Sequence, residues 1–191
     1  MAVSLSKGQR VSLVKAGGET LTRVLMGLGW DAAPKRGLFG TRRQTIDLDA
    51  SCLLFDVNGA LVDQVWFRQL RSRDGSIQHT GDNLTGDGEG DDESIRVDLS
   101  RVPAQVSALV FTVNSFTGQD FSQIENAFCR LVDETTGREV ARYDLTGSGR
   151  HTAQIMAKVV RDGQGWSMAA IGAAASGRTF RDLLPAVTAH L

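Results

Sequence analysis

The chain is poor in the residues that staple a protein, kink it or thread it through a membrane. Of its 191 residues only two are cysteine, three proline and one tyrosine. Cys52 and Cys129 sit in apolar runs (Ala-Ser-Cys-Leu-Leu and Ala-Phe-Cys-Arg-Leu), with no C-x-x-C motif and no histidine beside either. That context gives no support to a zinc or redox motif and predicts two small buried hydrophobes. A disulfide between them is the other arrangement, unexpected in a reducing compartment. No run of about 18 apolar residues occurs, so no transmembrane helix is predicted. The opening Met-Ala-Val-Ser-Leu-Ser-Lys-Gly-Gln-Arg has no continuous apolar stretch and does not read as a secretory signal. A soluble cytoplasmic protein is therefore expected. An excess of charge is missing too. The 21 basic and 22 acidic residues leave a net −1, whereas nucleic-acid binding leaves a basic footprint.

What is present is a succession of short apolar segments with β-branched content, separated by Gly, Asn, Asp and Ser. Strands are expected at Arg10–Val14, Leu21–Leu28, Ile46–Phe55, Val65–Leu70, Ile95–Leu99, Leu109–Val113, Ala127–Asp133, Glu139–Asp144, Thr152–Arg161 and Trp166–Ile171. Many short strands with regular turn signals predict an all-β fold, an antiparallel β-sandwich of two packed sheets with one or two short accessory helices. Hairpin turns are expected at Asn58-Gly59, Asp133–Gly137 and Asp162–Gly165. Thr179 is placed to cap a terminal helix weakened by Pro185, and Phe121–Asn126 is long enough for one turn. Gly37–Arg43 shows no periodicity and reads as a mobile basic loop. One domain spanning residues 1–191 suits this length.

The most informative feature is the stretch from Gly81 to Glu93, G-D-N-L-T-G-D-G-E-G-D-D-E. It packs Asp82, Asp87, Glu89, Asp91, Asp92 and Glu93 together, with Asn83 beside them. Two unit charges about 4 Å apart at an effective dielectric near 20 repel by roughly 4 kcal/mol. A multivalent cation removes that penalty. Ca²⁺ takes six to eight oxygen ligands and tolerates irregular geometry, while Mg²⁺ demands an octahedron and keeps its waters. Asp87, Glu89 and Asp91 alternate as in an EF-hand, but the sixth position is Asp92 instead of Gly and the twelfth is Asp98 instead of Glu. A cage built from several loops at one end of a sandwich is expected instead. Asp47 and Asp49 lie two apart in a strand-like run, hence on one face, and Asp31 follows Leu21–Leu28. With these three the oxygens suffice for two calcium ions. Against each stands a bland alternative: a solvated acidic hairpin tip, caps or salt bridges to Arg42 or Arg43 for Asp47 and Asp49, and a turn role for Asp31. His79 reads as a strand-end residue. A phosphate cradle would need Gly-Lys-Ser/Thr, and this loop is negative.

Gly29-Trp30-Asp31, Ile46–Ser51, and His79–Asn83 followed by Thr85–Glu93 resemble the signature of the TerD family, over a span running from Val-Ser-Leu-Ser-Lys-Gly to Leu145. Val65–Ser72, Phe111–Phe116 and Glu125–Arg130 narrow the likeness to its tellurium-resistance members. The resemblance implies a calcium-binding β-sandwich of bacterial tellurite-resistance and general stress systems. It implies Ca²⁺ held by the Gly-Asp-Asn and Gly-Asp-Asp-Glu segments with the Asp-Leu-Asp strand, and no known catalytic act. It also implies work in complexes with proteins of the same system near the inner face of the membrane. A non-catalytic module whose metal organises a surface for a partner protein is the leading expectation, with no small-molecule substrate. Three others stand beside it: C2-like, calcium-dependent binding of anionic lipid or phosphate head groups, with Lys35–Arg43 adding attraction; a metal-dependent phosphoesterase; and direct chemistry on tellurite at the two thiols.

Overall fold

The structure, a computed structural model, describes residues 2–15, 17–32, 35–37, 40–42, 46–80, 91–145, 149–163 and 165–191, with backbone alone for 32, 35–37 and 40–42. The alternating apolar segments form strands β1 (Val3–Ser4), β2 (Arg10–Ser12), β3 (Arg23–Ala32), β4 (Lys35–Gly37), β5 (Gly40–Arg42), β6 (Leu48–Phe55) and β7 (Leu61–Val65). They continue as β8 (Ile77–His79), β9 (Glu93–Asp98), β10 (Ala108–Ser115), β11 (Ile124–Asp133), β12 (Arg138–Asp144), β13 (Ala153–Asp162) and β14 (Gly165–Ala175), closed by helix α1 (Phe180–Thr188). Two six-stranded sheets result, ordered β1-β12-β11-β3-β9-β8 and β2-β14-β13-β10-β6-β7, with β4–β5 a separate hairpin. Every pairing is antiparallel except β1 with β12.

Side-chain alternation assigns the faces. Val24, Met26 and Leu28 of β3 and Ile95 and Val97 of β9 meet Ala50, Cys52 and Leu54 of β6 and Leu109, Phe111 and Val113 of β10 in one buried core. On the far side of the second sheet, Leu53, Phe55, Val110 and Ile155 pack under Phe180, Leu183 and Val187 of α1. Thr179 caps that helix as expected, and the Asp182 carboxylate accepts from the N–H groups of Arg178 (2.9 Å) and Thr179 (3.0 Å). Each of the three buried side chains contributes about 1.5–3 kcal/mol. Together they outweigh the cost of Pro185, about 3 kcal/mol for a helix interior.

Several local expectations are corrected. Beyond Val65 the chain turns: Trp66 N–H bonds Gln69 C=O and Gln69 N–H bonds Trp66 C=O. Trp66 instead packs edge-on against Phe180, ring centroids 5.0 Å apart. Within Gly37–Arg43, read as a mobile basic loop, Gly37 closes β4 and Gly40–Arg42 form β5, with Gly37 opposite Gly40. After a short 3₁₀ turn at Phe121–Gln123, opened by Asp120, residues 124–126 belong to β11. The short strands β1 and β8 have no signal of their own. Cys52 and Cys129 are free thiols with no exposed surface. Burial pushes the Cys129 thiol up to about 12 and the Cys52 thiol higher still.

Candidate metal centre

One end of the sandwich is tied together by bonds between segments far apart in sequence. Trp30, near the end of β3, is buried in the core. Its indole Nε1–H donates to Ile46 C=O at 3.0 Å, drawing the approach to β6 onto β3. Its backbone N–H donates to Asp92 Oδ2 at 2.8 Å, while Asp92 N–H donates to Leu28 C=O at 2.8 Å. Glu93 begins β9 on the same inward face as Ile95 and Val97. A carboxylate there is costly unless bonded. The ladder supplies the donor. β7 runs beside β6 only as far as Cys52, and the N–H of Ala50, beyond that pairing, donates to Glu93 Oε2 at 2.7 Å. His79 Nε2, fully buried at the end of β8, lies 3.4 Å from the same oxygen.

Asp91 turns the other way. Met26 and Leu28 face the core, so Gly27 between them faces outward. Asp91 folds over Gly27, where a Cβ would stand 2.2 Å from its Cγ. Arg130 of β11 grips it with two of the three guanidinium nitrogens, Nε to Oδ1 at 2.7 Å and Nη2 to Oδ2 at 3.1 Å. Bidentate pairs of this kind are the strong ones. The bond to Asp91 raises the Arg130 pKa further, and Arg130 Nη1 also reaches Glu139 Oε2 at 3.4 Å. Three consecutive acids thus point outward, along the backbone of β3 and into the core.

Of the other predicted residues, Asp31, Asp47 and Asp49 lie at this same end. Asp31 Oδ2 accepts from Asn126 Nδ2 at 2.8 Å. Asn126 sits at an interruption of the β3–β11 ladder with φ +53°, a left-handed conformation that asparagine tolerates. Asp47 precedes β6 and is half-buried, while Asp49 lies within β6, buried, opposite Asn114 of β10. Asp49 shares its face with Leu53 and Phe55, so it looks toward the helix-covered side of the second sheet, away from Glu93. Asp82, Asn83, Asp87 and Glu89 lie outside the described residues. Among the described residues no three His, Cys, Asp or Glu side chains form a group that could hold a metal ion. The donors this end does offer (Asp31, Asp47 and Asp49, joined by backbone carbonyls) are hard oxygens, the chemistry calcium takes. Asp91 is neutralised by Arg130, and Glu93 ties the two sheets together.

Sequence reasoning gave Arg130 and Asn126 no part in the site, although both lie in the Glu125–Arg130 segment that carries the narrower likeness. Gly27 carried a usable signal, because glycine inside a strand often marks the close approach of another group.

Comparison with known proteins agrees with this architecture. The TerD domain matches residues 1–185. The chain is 50% identical to the tellurium resistance protein TerZ of Serratia marcescens, over 95% of this chain and 94% of that protein. It is 42% identical to the stress response protein SCP2 of Bacillus subtilis (strain 168), over 96% and 98% of the two chains. The crystal structure of a homologue of the telluride resistance protein TerD from Streptomyces coelicolor A3(2) shares the fold. Its TM-score is 0.68 at 22% identity, over 82% of this chain and 92% of that one. A crystal structure of a protein of unknown function aligns with TM-score 0.69 at 25% identity, over 86% and 96%. The chain belongs to the TerD family of tellurium-resistance and stress-response proteins.

Proposed function

We propose that the chain is a non-catalytic, cytoplasmic calcium-binding module of a tellurite-resistance and general stress system. In this reading Ca²⁺, two ions in all, organises the acidic end of the sandwich into a surface recognised by partner proteins of the same system. The carrying observation is the convergence made by Trp30. Its two bonds, to Ile46 C=O and to Asp92, bring the end of β3, the start of β6 and the exit of the acidic loop to one place. Asp31 and Asp47 adjoin Trp30 and Ile46 in the chain, and Asp49 lies two residues beyond Asp47. Tellurite chemistry at the thiols finds no support, since neither cysteine has exposed surface. Isothermal titration of calcium into chelator-treated protein tests the reading. Two bound ions are expected, with binding lost in Asp47→Asn/Asp49→Asn. A flat titration refutes it.

A second reading, calcium-dependent contact with anionic lipid, is favoured by the aromatic edge of this end. Ser115 pairs with Leu48 at the start of β6, and the next residue, Phe116, is 38% exposed. Phe116 lies against Phe67, ring centroids 5.6 Å apart, and the Arg68 guanidinium sits 5.3 Å over the Phe67 ring. Co-sedimentation with phosphatidylserine vesicles should require both calcium and Phe116. Pelleting indifferent to calcium, or no pelleting at all, removes this reading.

A further inference from the structure

Asn114 lies directly opposite Asp49 in the β6–β10 ladder. Residues facing one another across an antiparallel pair project from the same face with Cβ atoms about 4.5–5.5 Å apart. Asn114 is 1% exposed. Its amide nitrogen donates to Gly177 C=O at 3.3 Å, which sets the orientation of the amide and turns the oxygen elsewhere. That oxygen, Asn114 Oδ1, is buried and has no hydrogen-bond partner among the described residues. One pair further along the same face, Thr112 opposes Ser51, and Thr112 Oγ1 is likewise buried without a partner. The fold has therefore placed oxygens side by side on the covered face of the second sheet, next to a buried carboxylate, without donors for them. Buried polar atoms in native proteins are almost always satisfied, so an orphaned oxygen calls for a water or an ion. An amide oxygen beside a carboxylate is a pairing that calcium sites use.

We infer that Asn114 is a ligand of the calcium site through Oδ1, acting with Asp49 across the β6–β10 ladder. The inference rests on the calcium reading and extends it. Asp47 and Asp49, two apart in the chain and on one face, would hold the ion from the β6 side, and β10, which carries no acidic motif, would supply a neutral oxygen from the sheet itself. The same side chain would link the ion to the segment just before α1, because its amide nitrogen bonds Gly177 C=O.

The test uses the full chain with calcium alone as the probe, read by titration calorimetry and by thermal unfolding in chelator and in excess calcium. Asn114→Leu removes the oxygen while filling the space. It is expected to weaken calcium binding at least about tenfold, or about 1.4 kcal/mol, or to remove one ion from the stoichiometry. Asn114→Asp keeps an oxygen and adds a charge facing Asp49. It is expected to unfold earlier than the wild type in chelator, yet to gain more melting temperature from calcium than the wild type does. A purely structural asparagine would not give that reversal. Should Asn114→Leu fail to fold, the Asn114→Asp pair of melting curves decides alone. Calcium binding within twofold of wild type in the folded variants, with the same calcium-induced shift, overturns the inference and assigns the oxygen to a buried water. Absence of binding by the wild-type chain overturns the calcium reading itself, and this inference falls with it.

Discussion

Asp91 occupies the space above Gly27 that any side chain at position 27 would need, its Cγ only 2.2 Å from where a Cβ would stand. The glycine admits the carboxylate, and Arg130 then holds it with two charge-assisted bonds. The strand and the acidic segment are in this way coupled through a missing methyl group.

Gly27→Ala should therefore eject Asp91 and break its pair with Arg130. Overpacking of this kind costs about 1–3 kcal/mol, and each kcal/mol lowers the melting temperature of a chain this size by about 2–4 °C. The cause is checked by a double-mutant cycle. In an Asp91→Ala background the same glycine substitution should cost far less, because neighbours that share a contact are non-additive. Additive losses would show that the close approach is not the reason.

Glu93 acts as a tie between the sheets. Glu93→Ala strands the buried N–H of Ala50, at a cost of about 1–3 kcal/mol for an unsatisfied donor. Glu93→Gln retains an oxygen for that N–H and should lose less. Urea unfolding of the two variants ranks them, and equal losses would remove the Ala50 bond from the explanation.

His151 supplies the expected pH dependence. It stacks on Phe121, ring centroids 4.9 Å apart, and is buried. Burial lowers its pKa below the ordinary 6.5, although Gln154 and Asp120 pull the other way. A histidine with a depressed folded pKa binds its proton more readily when unfolded. Its neutral form thus supports the fold fully above pH 6.5, and stability falls as pH drops below that value toward the folded pKa. His151→Phe should flatten the stability profile in that window, measured by denaturant midpoints at several pH values. An unchanged slope would assign the acid sensitivity to other groups.

Both thiols should be silent in the native protein. With Cys52 and Cys129 unexposed and their pKa values raised, a thiol reagent at pH 8 should titrate none of them before unfolding and two afterwards. Rapid labelling of the folded chain would contradict the buried core described above.

Calcium should also stabilise the fold by mass action. Binding to the folded state alone adds about 2.7 kcal/mol at a calcium concentration 100-fold above Kd. A chelator is expected to remove that increment from the wild type and to leave Asp47→Asn/Asp49→Asn unchanged. A wild-type melting curve insensitive to the chelator would refute the coupling.

Much of the fold was legible because its signals are local. Short, largely apolar runs in Leu48–Phe55 and Ala108–Ser115 announce strands buried on both faces, Asp133–Gly137 announces a turn, and Thr179 announces a helix start. The failures share a cause. Trp66–Leu70 has strand-like composition, but its apolar bulk is spent on the contact between Trp66 and Phe180. Lys35–Gly37 and Gly40–Arg42 contain no apolar side chain, so no alternation revealed their pairing. A two-residue strand such as β1 exists only because β12 is there to receive it.

The acidic loop, the hard-oxygen character of its donors, the lack of an adjacent activator for the thiols and the sandwich class all follow from residue type and spacing over a few positions. The directions taken by Asp91, Asp92 and Glu93 do not. Their partners Arg130, Trp30 and Ala50 lie 39, 62 and 43 residues away in sequence. The same holds for the buried amide of Asn114 beside Asp49. Side-chain period encodes which residues share a face, but strand order decides which faces meet. Only the assembled sheets determine which carboxylates find a donor and which oxygens are left facing one another.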